Sequence, residues 1–79
     1  MSKQAFKLVF PSDLIKEPIM FTVARDNDLL LNIRRAKITP TTGEATVEFE
    51  GDEQDIENAV KIMKSKGVIV ETVFGEEGL

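Results

Sequence analysis

Seven consecutive residues, Glu44-Ala45-Thr46-Val47-Glu48-Phe49-Glu50, alternate strictly between polar and apolar. A period of two is the signature of a strand with one face in a core and the other in water. This segment therefore demands something apolar laid over one of its faces. The rest of the chain supplies it in pieces. Ala5 to Phe10 alternates and stops at Pro11-Ser12, a second strand. Pro18 stands where a first helical residue is favoured, and Ile19, Met20, Val23 and Ala24 follow at helical spacing, so 18–27 reads as a short helix ended by Asp26-Asn27-Asp28. Residues 31–39 read as a strand, and Pro40-Thr41-Thr42-Gly43 as a turn. After Gly51, Asp52 is placed to cap a helix whose stripe is Ile56, Ala59, Val60 and Met63. Acids crowd its start (Glu53, Asp55, Glu57) and lysines its end (Lys61, Lys64, Lys66), both favourable to the helix dipole. Gly67 is a C′ residue, and Val68 to Phe74 the last strand.

The order β-α-β-β-α-β specifies an α+β class, a ferredoxin-like sandwich of a four-stranded antiparallel sheet with two helices on one face. One domain is expected over residues 1–79, with its core in about 5–74 and 75–79 as a loose tail. Pairing residues whose numbers sum to 83 registers the central hairpin: Ile38 faces Ala45, Ala36 faces Val47 and Arg34 faces Phe49 under the helices. On the other face Arg35 meets Glu48, Lys37 meets Thr46 and Ile33 meets Glu50. Arg34 is then the one charge in an apolar row.

Composition narrows the chemistry. The chain has no cysteine and no histidine, which removes disulfides, thiolate nucleophiles, imidazole bases and the usual zinc and iron–sulfur sites together. Ser2, Ser12 and Ser65 have no histidine to activate them, and Gly43, Gly51 and Gly67 are isolated turn glycines rather than a phosphate loop. Asp26-Asn27-Asp28 opens like a calcium loop, but Leu30 and Leu31 stand where a ligand and a glycine are needed. The expectation is no enzyme, no catalytic residue, no metal and no cofactor. Net charge is −4, split as +3 over residues 1–40 and −7 over 41–79, which disfavours nucleic acid. Phe6, Phe10 and Phe49 share core parity, so no aromatic platform for bases is expected on the open face. No apolar run exceeds three residues, Leu29-Leu30-Leu31 among them, so no membrane insertion is expected, and a cytoplasmic address is the default.

Several anchors in order give a family resemblance: Leu8-Val9-Phe10-Pro11, Glu17-Pro18-Ile19, Asn32-Ile33-Arg34, Thr46-Val47-Glu48-Phe49-Glu50-Gly51-Asp52 and Lys66-Gly67-Val68-Ile69-Val70-Glu71. Together they resemble the NIL domain, found at the C-terminus of methionine-importer ABC ATPases and beside ferredoxin domains. The resemblance runs from about Lys7 to Glu71. It implies the ferredoxin-like fold, dimerisation through the sheet and, in the importer ATPases, regulatory binding of methionine. Asn32-Ile33-Arg34 sits at the name-giving Asn-Ile-Leu triplet, so the resemblance implies a ligand site at Asn32, with Ile33 and nearby aliphatics as its apolar wall. Arg34 replaces the triplet's usual apolar third residue and adds positive charge there. The chain carries no ATPase domain, so the expectation is regulation in trans or binding of something else. It also lacks the cysteine clusters of ferredoxin-linked relatives.

The residues themselves agree in outline. An amide such as Asn32 can accept from an ammonium and donate to a carboxylate. Arg34, Arg35 and Lys37 form a basic cluster suited to a carboxylate or phosphate, or to cross-strand pairing with Glu48 and Glu50. The uncovered sheet face is expected to hold Val9, Ile33, Arg35, Lys37, Glu48 and Ile69, a partner surface for a homodimer. The expected function is a non-catalytic regulatory module that binds an amino acid such as methionine and works through that dimer. The alternative is a ligand-free interaction module that docks on an enzyme, transporter or ferredoxin partner through the sheet face or the acidic helix start at Glu53, Asp55 and Glu57.

Overall fold

The computed structural model describes residues 2–11 and 18–74. The Ser12 loop, the Glu17 part of the helix start and the tail 75–79 lie outside the described residues. Six elements occur in the expected order: β1 (Ser2–Phe10), α1 (Ile19–Asp26), β2 (Leu30–Ile38), β3 (Gly43–Gly51), α2 (Glu53–Ser65) and β4 (Ile69–Val73). The four strands form one sheet in the order β2-β3-β1-β4, with every described pairing antiparallel. This is the ferredoxin-like α+β arrangement.

The alternation in β3 does what its period requires. Ala45, Val47 and Phe49 are buried, and so are Phe6, Leu8 and Phe10 of β1. Phe6 and Phe49 meet as tilted rings with centroids 6.1 Å apart. The helices close this face with Ile19, Val23 and Ala24 from α1 and Ile56, Ala59 and Met63 from α2. Met20 and Val60 pack at the margin. No polar side chain is buried among the described residues.

Both helices end the same way. After α2, the Val68 N–H reaches the Met63 carbonyl at 3.0 Å and the Gly67 N–H reaches the Lys64 carbonyl at 3.0 Å, with Gly67 at φ 100°. That is a Schellman stop, and the buried Val68 and Met63 make its apolar contact. After α1, Leu29 bonds to Ala24 at 2.8 Å and Asp28 to Arg25 at 3.3 Å, with Asp28 in the left-handed region at φ 58°. Asn27 adds a side-chain bond to the Val23 carbonyl. The Asp-Asn-Asp run is therefore a helix stop, as expected.

Two helix starts differ from the sequence reading. Pro18 precedes α1 as its N-cap residue instead of opening it. Asp52 occupies the N-cap of α2, and its carbonyl takes the Ile56 N–H at 3.0 Å, but its side chain makes no capping bond. The larger correction is the hairpin register. Next to the turn, Ile38 pairs with Gly43, Ala36 with Ala45 and Arg35 with Thr46. Beyond a bulge at Arg34, Ile33 pairs with Val47, Asn32 with Glu48 and Leu31 with Phe49. The turn sets this offset: Thr39 and Thr42 close it through the Thr39 N–H to Thr42 carbonyl bond at 2.8 Å and through their hydroxyls. The strands therefore start pairing two residues earlier than the sum of 83 implies.

Three backbone positions give a direct stability test. Gly67→Ala should cost about 1–2 kcal/mol, because alanine does not tolerate the left-handed backbone. Asp28→Gly should shift stability the other way by less than about 1 kcal/mol, since aspartate tolerates that region better and glycine loosens the unfolded chain. At Gly51 a Cβ would stand 2.6 Å from Leu29 Cδ2. Gly51→Ala should cost about 1 kcal/mol, at the low end for overpacking, because a side-chain methyl has to move rather than backbone. Urea unfolding followed by circular dichroism measures all three.

Candidate functional site

The bulge at Arg34 builds the site. A regular ladder would put Arg34 and Arg35 on opposite faces. One extra residue in β2 instead lets two successive side chains share a face, as bulges do. Ile33 pairs with Val47, whose side chain is in the core, so Ile33 lies on the helix side of the sheet. Asn32 pairs with Glu48 on the open face, and Arg34 reaches the same carboxylate. Arg34 is thus not a charge in the apolar row opposite Phe49. Leu31 takes that place and packs against the core.

Glu48 accepts from Asn32 Nδ2 at 3.1 Å through one oxygen and from Arg34 Nη2 at 2.5 Å through the other. The Arg34 and Glu48 side chains are 23 % and 12 % exposed, so this is a largely covered pair. The Arg34 hydrogen bond, then the Asn32 hydrogen bond, hold the Glu48 carboxyl below its ordinary pKa, while partial burial opposes them. The Arg34 and Lys3 charges add to the lowering. Arg34 Nε is buried and has no hydrogen-bond partner.

The structure therefore brings together Asn32 and Arg34 of the expected ligand triplet and separates Ile33 from them. Glu48, expected on the partner face opposite Arg35, is the residue that joins them. Sequence reasoning also missed Lys3, which precedes the expected start of β1 and pairs across the sheet with Glu50. Two depressions flank the Glu48 carboxylate. One, of about 280 Å³, is lined by Lys3, Leu30, Leu31, Asn32, Glu48 and Glu50. The other, of about 470 Å³, has Arg34, Lys3, Ala5, Val73 and Phe74 on its walls beside Glu48.

The expected partner residues do share the open face. Val9 pairs with Glu44 and Ile69, Arg35 with Thr46, and Lys37 with Glu44. The pairings expected for Arg35 with Glu48, Lys37 with Thr46 and Ile33 with Glu50 do not occur. Ile69 is 57 % exposed, and Leu30 at 65 % is a further exposed aliphatic there in place of Ile33. Lys7 and Glu44 form an exposed ion pair at 3.7 Å. A third depression, of about 510 Å³, runs between Lys7, Arg35, Lys37, Glu44, Thr46 and Glu71. No group of three or more acids that could hold a metal occurs among the described residues. No helix there is long and apolar enough to cross a membrane.

The sign of the Glu48 shift gives a pH prediction. Its folded pKa lies below its unfolded value, so its contribution to stability is full above the ordinary carboxylate value near 4.5 and is lost as pH falls through the lower folded value. Glu48→Gln should remove that acid-side slope, and Asn32→Ala should reduce it. Thermal melts at a series of pH values below neutrality read both.

Comparison with known proteins matches this geometry to a family. No curated protein sequence matches the chain. The fold is similar to the crystal structure of the C-terminal domain of an ABC transporter ATP-binding protein from Enterococcus faecalis, with a TM-score of 0.79 at 21 % identity over 92 % of this chain and 86 % of that one. It is also similar to part of prephenate dehydratase from Streptococcus mutans, with a TM-score of 0.63 at 16 % identity over 89 % of this chain and 40 % of that one. The model of the NIL domain matches residues 4–72, nearly the whole chain, which therefore belongs to the NIL domain family.

Proposed function

We propose that this domain is a non-catalytic regulatory module that binds a small amino acid, methionine first among them, on the open sheet face at Asn32, Glu48 and Arg34. The observation that carries the reading is the polar cluster itself: an amide, a carboxylate and a guanidinium held together at the position of the family's name-giving triplet. These groups suit a zwitterion, since Glu48 and Glu50 can receive an ammonium while Arg34 and Lys3 can receive a carboxylate. The likeness to a C-terminal domain of an ABC transporter ATP-binding protein supports a regulatory role next to, or in trans on, such an ATPase. The module acts as a homodimer through the open face, where Val9, Leu30 and Ile69 offer apolar area and Arg35, Lys37, Glu44 and Glu71 offer both signs of charge. A ligand at this face shifts the dimer or partner equilibrium by its difference in affinity between the two states.

Methionine at a hundred times its Kd should stabilise the fold by about 2.7 kcal/mol, a shift of several degrees in Tm. Asn32→Ala should abolish that shift. Light scattering on the same sample counts the chains. Absence of stabilisation by any amino acid at millimolar concentration overturns the ligand reading.

One observation favours the second reading, a ligand-free docking module. Glu53 and Glu57 at the start of α2 are exposed, as is Phe21 on α1 at 56 %. Charge reversal of Glu53, Asp55 and Glu57 to lysine should then release an ATPase partner in pull-down. Unchanged recovery removes that surface.

A further inference from the structure

Strand β2 is the long edge of the sheet. Among the described residues only β3 pairs with it, so one side of its nine-residue backbone faces outward without a strand partner. The opposite edge, β4, runs for five residues. A short edge protects a sheet against stray pairing, and β2 lacks that protection. The core also stops short of β2. Ala45 and Val47 of β3 are 3 % and 0 % exposed beneath the helices. Their partners on the same face of β2, Ala36 and Ile33, are exposed, and Ile38 further along is 61 % exposed. These three apolar side chains form the rim of the helix side. On the other face of the same strand Arg35 and Lys37 are exposed, opposite Thr46 and Glu44.

The edge therefore presents cations on one face and apolar side chains on the other, in a chain whose net charge is −4. The cations decide what can pair there. Two copies of β2 laid side by side would set Arg35 and Lys37 against the same cations of the second copy, and like charges across a strand pair are unfavourable. A strand carrying acids reverses the sign, so one device excludes a self-pair and admits the opposite charge.

We infer that β2 is the docking edge for an extended segment of a partner protein, added to the sheet as a fifth strand. Its acidic side chains alternate with apolar ones. The acids lie beside Arg35 and Lys37, and the apolar residues beside Ile33, Ala36 and Ile38. Backbone hydrogen bonds supply the affinity and the alternation supplies the selectivity. The bulge at Arg34 interrupts the edge, so residues 35–38 are the regular stretch on which pairing starts. This surface is the sheet edge rather than the Glu48 cluster, and it stands whether or not methionine binds.

The probe is a dye-labelled peptide of four Glu-Val repeats with blocked ends, read by fluorescence polarisation and by hydrogen exchange of the β2 amides. It should bind saturably and slow exchange of the outward β2 amides at least tenfold. A peptide of four Lys-Val repeats should bind at least about tenfold more weakly, a difference of about 1.4 kcal/mol. The Glu-Val peptide N-methylated at every residue keeps its side chains but has no backbone donors, and it should lose at least as much. Lys37→Glu should weaken the Glu-Val peptide and strengthen the Lys-Val peptide, a reversal that a damaged fold cannot produce. Ile38→Ser, at an exposed site, should weaken the Glu-Val peptide severalfold. Equal binding of the N-methylated peptide overturns strand addition. Equal binding of the Lys-Val peptide overturns the acidic partner. No binding of the Glu-Val peptide at millimolar concentration overturns the docking edge. Protection of the β2 amides in the free protein that rises with protein concentration assigns the edge to a second copy and overturns the inference.

Discussion

Everything else in this domain hangs on the central pair β1 and β3. Their nine-residue register, from Ser2 opposite Gly51 to Phe10 opposite Gly43, puts Phe6, Leu8, Val47 and Phe49 into one apolar layer. A chain of this size buries too little surface to keep two cores, so it commits its apolar side chains to one face of the sheet. The helices follow from that commitment. Each brings one stripe, and each is stopped by a Schellman turn that drops the next residue, Leu29 or Val68, back into the same layer. The open face follows as well, because alternation sends every intervening charge of β1 and β3 there.

The polar cluster is a product of this division. Glu48 is on the open face because Val47 and Phe49 are not. Its two oxygens are then available to β2, and β2 supplies two donors in three residues, Asn32 and Arg34, which regular alternation also places on one face. The bulge shifts the rest of β2 by one position, so Arg35 and Lys37 stay on that face too. A strand at the sheet edge tolerates such an insertion, since one side of its ladder is unpaired already.

Most of the fold was legible in the residues. The strict alternation of 44–50, the stripe of α2 and the Gly67 stop each carry a local cause, and each lies where that cause places it, whereas the turn expected at Pro40–Gly43 closes one residue earlier, between Thr39 and Thr42. Face assignments for β1 and β3 were legible for the same reason. What was not legible was the β2 register. Arg34 in an apolar row was the visible sign of trouble, because a bulge is the ordinary remedy for a charge of the wrong parity. Leu30, Leu31, Asn32 and Ile33 do not alternate cleanly, so their own pattern could not locate it. The Asn32 position was legible through the family triplet, whereas its bond to Glu48 required the true register. Lys3 was missed because Ser2-Lys3-Gln4 carries no apolar signal of a strand, and its pairing comes from β3 alone.

The notch at Gly51 has a wider meaning. Leu29 lies over it so closely that a methyl group there would collide, which ties the exit of α1 to the far end of β3. The threonine turn ties the near end. Between these two moorings the paired stretch of β2 runs from Leu30 to Ile38 while its partner stretch of β3 runs only from Gly43 to Glu50, so one residue of β2 is surplus to the ladder. That surplus residue is Arg34. The residue with the most distinctive chemistry on the open face is thus the surplus one of the hairpin, fixed in place by the two moorings rather than by a partner in the ladder.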